Sequence, residues 1–464
     1  MRKRDLGKDA NGIQKTMRFF PDYLGDGAGQ LTMNAITSLG GVLTFFYTDR
    51  LGLSVGTIGT LLMVVKLIDA LTDLVMGRIV DRTKSRWGKA RPWLLWMSIP
   101  TAAIIVALFT VPKSASGTVQ YGYVFLTNLL ATAVIYTALA NPYSSLMAMR
   151  TQSLAERNTM GIVRAAFGAI PSGLTAVIFV PVTNAMGGGQ DAWIKLGAVF
   201  SLVSFVCLMA TFATAKERYT GEAREEHEAT FLEGIQILLK NKYWIIMLFV
   251  TLFTNMVYAI MGTHTYFAKY ILGDENLVGV LGLAATIPLA IGALAVIFWL
   301  QKYSQSKTTR MALVIGILGT GICMFFPRNM IAAVLRIAIS IIAIMPLMIV
   351  GLPLLSNTVE YNEWKFGKRL VGLTNSASSF GGKVGAGIGG AMISWLLAFG
   401  KYDGSLAVQP DSAIHMILAV SVYLPFVLLV ILYLLMRKYD LDEKYAGILI
   451  DLKERKSREE PSRA

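Results

Sequence analysis

Lys66, Asp69 and Asp73 stand at offsets of three and four in the run KLIDALTD, so a helix through them presents all three on one face. The run lies inside a long apolar stretch, where an ionisable group is costly and is a functional candidate by default. Two carboxylates one turn apart make a hard-oxygen pair. Such a pair can hold Na⁺ through carboxylate oxygen, or share one proton, because close like charges favour protonating one of them. Lys66 can instead close the three into an internal charge network. Two further basic residues, Arg164 and Lys383, fall at the start of one apolar run and well inside another. Lys383 sits in GGKVGAGIGG, a glycine-rich helix suited to tight packing or bending. It pairs with the acids of KLIDALTD or donates hydrogen bonds to a substrate. Arg336, early in its run, is placed to snorkel to the outer surface.

The elements that position these residues are membrane spans. The chain has 464 residues, 54% hydrophobic and 16% charged, with a mean hydropathy of +0.55; soluble domains carry about 25% charged residues. Apolar runs long enough to cross a bilayer recur along it. The net charge of +14 sits in loops and tails beside these runs, as the positive-inside rule requires, so nucleic acid is excluded as a partner. Cys207 and Cys323 both fall inside apolar runs and read as small core residues. Neither a nucleophile–base pair nor metal-ligand spacing stands out, and the three histidines are His227, His264 and His415. The chain reads as a non-enzyme without a cofactor.

The runs predict twelve spans: 28–48, 55–79, 93–112, 120–147, 163–186, 193–213, 244–271, 277–301, 309–327, 330–356, 371–400 and 412–436. Even-numbered connections (80–92, 148–162, 214–243, 302–308, 357–370) are basic and odd-numbered ones are not, which places both termini in the cytoplasm. The long charged connection 214–243 divides the chain. A cytoplasmic segment 1–27 precedes a six-helix half 28–213, and the loop 214–243 leads to a second half 244–436 and a cytoplasmic tail 437–464. The turns at 80–92 and 148–162 have counterparts at 302–310 and 357–370. The fold expected is an all-α polytopic membrane protein of the major facilitator type, with two six-helix halves and a central site between them.

Three cytoplasmic segments narrow this further. They are DRTKSRWGKARP at 81–92, NPYSSL at 141–146 followed by Glu156-Arg157, and NTVEYNEWKFGKRLVG at 357–372. With FFYTD at 45–49, they resemble the glycoside–pentoside–hexuronide:cation symporter family. Asp81 and Arg82, with Gly77, are the general superfamily part of the first segment. They set topology or form a charge latch that holds one access state.

The resemblance implies that Asp69 and Asp73 are the two acidic positions of the family's cation site, with Thr137 at a nearby hydroxyl position. Na⁺-using members have Asn between the acids where this chain has Thr72, which leaves Na⁺ and H⁺ both open. Arg164 and Lys383 align with basic positions at the family's central cavity, and Tyr136 with a cavity tyrosine. Sugar recognition needs polar groups for hydroxyls and aromatic faces for the ring. Tyr136, Thr137, Asn141, Ser378 and Ser379 are candidates for that role, with Tyr258 and His264 weaker. The acid pair that binds galactosides in the family has no counterpart: Ala140 and Met33 occupy those positions, and Asp26 is out of register. A neutral glycoside or pentoside is preferred slightly over an anionic hexuronide. The expected activity is import of such a sugar with Na⁺ or H⁺, by a monomer in the lipid of the inner membrane. A drug or metabolite exporter on the same fold, or a sugar sensor, are the alternatives.

Overall fold

The computed structural model describes residues 14–219, 231–406 and 408–459. Twelve helical runs follow the expected spans. They are α1 (Leu24–Phe45), α2 (Val55–Arg82), α3 (Arg91–Ala107), α4 (Gly117–Arg150), α5 (Leu154–Val177), α6 (Gln190–Thr214), α7 (Lys242–Tyr270), α8 (Val278–Lys302), α9 (Gln305–Cys323), α10 (Met330–Phe366), α11 (Val371–Phe399) and α12 (411–437). Seven of them, α4 to α7 and α10 to α12, are long and apolar enough to cross a membrane by length and composition. In α2 the charges of Lys66, Asp69 and Asp73 dilute the apolar run. The chain divides into two compact units, residues 1–224 with 401–409, and residues 225–400 with 410–464.

In the first unit α1 packs along α5 and α6. At one end Phe46, Phe109, Phe179 and Trp193 form an aromatic cluster with ring centroids 5.0–5.9 Å apart. Helix α5 begins at Leu154, nine residues before the expected start. The reason is an N-cap: Ser153 Oγ accepts from the Glu156 amide at 3.4 Å. Arg164 therefore stands well inside α5 rather than at its start. Glu156 is itself buried and accepts from the amides of Thr16 and Met17 at 2.6 and 2.7 Å, which ties the segment before α1 to α5.

The basic turn between α2 and α3 is held by its backbone. The amides of Lys89, Ala90 and Arg91 all donate to the Glu217 carboxylate, at 2.9, 2.8 and 2.7 Å, an anion-binding nest. Gly88 adopts φ +111° to form it, and a Cβ there would overlap the Glu217 carboxylate. Arg91 Nε donates to Phe212 O at 2.9 Å, and its guanidinium lies 4.5 Å from the Phe212 ring. Trp87 packs edge-on to the same ring.

In the second unit α10 runs 37 residues, about 55 Å at the helical rise, which exceeds a hydrocarbon core of about 30 Å. The turn expected at 357–370 is thus helix as far as Phe366. Thr358, Val359, Tyr361 and Asn362 are buried and continue the packed face, and Gly367 ends the helix at φ +69°. Asn241 caps α7 by accepting from the Tyr243 and Trp244 amides, and donates to Thr358 O and Asn362 Oδ1. The tail is a helix at Leu441–Glu459. It docks through Asp442 to Ser306 and through Arg455 to Trp364 O. Arg336 does not snorkel: it is 3% exposed, because its position on α10 turns it inward.

Helices α7 and α11 approach closely. A Cβ on Gly385 would overlap the carbonyl oxygen of Leu252, which is backbone and cannot rotate away. Gly385→Ala is expected to cost about 1–3 kcal/mol of stability, read as a lowered unfolding midpoint of the purified protein. An unchanged midpoint would show that the two helices can separate freely.

Candidate functional site

Three side chains from two helices meet at the acidic pair. Asp69 is 1% exposed, and Asp73 is half-buried one turn along α2. Thr137, buried on α4, places its hydroxyl 3.2 Å from Asp69 Oδ1 and 3.1 Å from Asp73 Oδ1. Lys66 Nζ lies 3.5 Å from Asp69 Oδ2, with its side chain 35% exposed. Asn141 Nδ2 donates to Asp73 O at 3.4 Å.

The position of Thr137 follows from an irregularity in α4. The helix widens to a π-helical stretch over Leu130–Tyr136, a feature that recurs at functional sites. The wider turn puts the carbonyl of Thr132, five residues back, 3.2 Å from the Thr137 hydroxyl. That hydroxyl has one proton and three acceptors around it. Given to Thr132 O, the proton leaves the hydroxyl lone pairs facing the space beside both carboxylates, as a cation ligand requires. Given to a carboxylate, it supports the charged form. The Thr72 hydroxyl instead donates to Asp69 O at 3.0 Å, within its own helix, so it is turned to the backbone rather than to the carboxylates.

A second charged cluster lies in the same unit. Asp26 on α1 is completely buried. Arg164 grips it with Nε to Oδ2 at 2.7 Å and Nη2 to Oδ1 at 3.0 Å, and Arg150 Nη1 adds a bond to Oδ1 at 2.9 Å. Arg150 also reaches Asp22 at 3.6 Å. The Arg164 guanidinium lies 3.8 Å from the Tyr143 ring centroid, and Tyr143 OH donates to Asp26 O at 2.7 Å. Bidentate geometry and a second guanidinium meet the cost of burying the carboxylate. Sequence reasoning weighed Asp26 only as a sugar-binding acid. A lone acid in an apolar run, among the small residues of GDGAG, already required a buried cation as partner.

The other expected residues fall in both units. Tyr136 is half-buried and directly precedes Thr137. Ser378 is buried on α11 and its hydroxyl lies 3.4 Å from that of Thr251, whereas Ser379 is exposed and Lys383 half-buried one turn further on. Arg82 is exposed; the side chain of Asp81 lies outside the described residues.

Twelve helical runs, seven of them long and apolar enough to cross a membrane, define a multi-pass membrane protein. Solved structures agree on the fold: a bacterial homologue of the human lysosomal transporter Spinster, inward-facing, superposes with TM-score 0.69 at 13% identity, covering 90% of this chain and 97% of that one. The family described as MFS/sugar transport protein matches residues 25–443, and the chain belongs to it. The chain is a membrane transporter and not an enzyme. It is 29% identical over 454 residues to the isoprimeverose transporter of Lactiplantibacillus pentosus, covering 95% of this chain and 92% of that one. It is 28% identical over 425 residues to an inner membrane symporter of Escherichia coli (strain K12), covering 90% of each. A glucuronide carrier protein homolog of the same organism is 27% identical over 454 residues, with 93% and 95% covered.

Asp26→Asn removes the one charge that both arginines share and leaves two buried cations underpaired. Its expected cost is about 3–5 kcal/mol, measured as loss of the folded, monodisperse fraction on size exclusion or a lowered unfolding midpoint. Wild-type stability would show that the cluster is solvated.

Proposed function

We propose that the chain imports a glycoside, pentoside or hexuronide in symport with Na⁺ or H⁺, with the cation held at Asp69, Asp73 and Thr137. The observation that carries this is a single hydroxyl within hydrogen-bond reach of one oxygen from each of two carboxylates, one of them buried. A cation or proton between the carboxylates relieves their repulsion. It also lets binding energy from the cation gradient favour one access state of the sugar-loaded carrier. Thr72 is a reserve ligand that its rotamer would have to bring into play.

On the sugar side the candidates are Tyr136, Asn141, Ser378, Ser379, Lys383 and Arg164. Lys66 lies beside Asp69 and Arg164 is bidentate on Asp26, so two of the central basic groups are already neutralised. That favours a neutral glycoside or pentoside over an anionic one, as does the relative named for isoprimeverose. The placement proposed is the inner membrane, as a monomer, with both termini cytoplasmic. The basic character of the even-numbered connections supports that orientation.

The test is uptake by proteoliposomes of a panel of glycosides, pentosides and uronides, with an imposed Na⁺ gradient or an imposed pH gradient. Asp69→Asn and Asp73→Asn are expected to abolish accumulation against a gradient. Thr137→Ala is expected to raise the cation concentration for half-maximal uptake about tenfold, the equivalent of one charge-assisted contact of about 1.4 kcal/mol. Wild-type accumulation by both Asn variants would remove the cation site from α2.

A further inference from the structure

Arg336 poses a problem that the transport reading does not use. Its guanidinium is buried on α10, and Nη1 has no hydrogen-bond partner. No carboxylate pairs with it among the described residues. The guanidinium lies 5.2 Å from the Phe267 ring centroid. The guanidinium borders a cavity of about 30 Å³ whose polar lining is Arg336, His264, Thr263, Ser340 and Ser421. Two of those hydroxyls are spent: Ser340 donates to Arg336 O and Thr263 to Ile260 O, both at 2.7 Å. Ser421 Oγ is buried with no partner. Two residues lining the cavity, Arg336 and Ser421, thus carry unsatisfied donors, one of them charged, and His264 lines it too.

The helices around the cavity are irregular where they face it. Helix α7 tightens to a 3₁₀ turn at Met261–Thr263, just before His264. Helix α12 widens to a π turn at Ala419–Tyr423, which carries Ser421. Such departures from regular hydrogen bonding gather at functional sites. A water could satisfy the donors but not the charge, and a buried guanidinium with no counter-charge is strongly disfavoured. The free space of about 30 Å³ accommodates one or two waters, or a small ion in their place, and is small for a sugar.

We infer that this cavity of the second unit is a site for a small monovalent anion of chloride size, bound by Arg336 Nη1 and Ser421 Oγ. The anion completes the packing of α7, α10 and α12 and so stabilises the folded carrier.

The test uses the purified full chain in detergent, with sodium chloride replacing sodium gluconate at constant Na⁺ and ionic strength. A ligand that binds the folded state raises the unfolding midpoint in a saturable way. The wild type is expected to do so with chloride. Ser421→Ala is expected to need several-fold more chloride for the same rise, and Arg336→Gln to lose the dependence. A midpoint that is flat in chloride overturns the inference, as does a chloride response unchanged in Arg336→Gln. If Arg336→Gln does not fold, Ser421→Ala decides: an unshifted chloride response overturns the site. Because Na⁺ is constant, the outcome is independent of the α2 cation site.

Discussion

A charge placed among apolar helices must find a partner, and this requirement organises much of the structure. Asp26 shows the complete solution. Two guanidiniums and an aromatic face surround one carboxylate, and the cluster draws α1, α4 and α5 together at a point where apolar packing alone would leave them free to slide. Both oxygens of the Asp26 carboxylate are engaged by protein donors. The cluster is a fixed joint, and its lack of exposure is consistent with that role.

The α2 pair is a partial solution of the same problem. Asp69 has Lys66 at one side, and a threonine hydroxyl bridges toward Asp73. A hydroxyl is a weak and reversible partner, since it can donate to a carboxylate or turn its lone pairs outward. The π-helical stretch of α4 makes this choice available by offering Thr132 O as an alternative acceptor. Fixed ion pairs build the scaffold, and an adjustable one is suited to a coupling ion.

The periodicity of α2, the positions of the helical runs and the family were legible in the sequence, because hydropathy and local spacing carry them. The partners were not. Nothing local joins Asp26 to residues 124 and 138 positions away, or Gly88 to Glu217. Those contacts depend on which helices become neighbours. The early start of α5 was legible in principle, since Ser153 is a good N-cap residue with Glu156 three residues on, but apolarity outweighed it. The same bias truncated α10 at 356, where polar residues begin although the helix continues on a buried face. Arg336 was read as a surface group because snorkelling is the usual fate of an arginine near a span end.

The central claim is that sugar movement is tied to a cation at the α2 carboxylates, and the charge carried per sugar tests it most directly. Tracer uptake of a neutral glycoside and the accompanying current can be recorded together in the same proteoliposomes under an imposed cation gradient. The account predicts one positive charge entering with each sugar, in a ratio that holds as the sugar concentration is varied. Sugar entry with no accompanying charge, at a rate indifferent to both Na⁺ and H⁺ gradients, would contradict it.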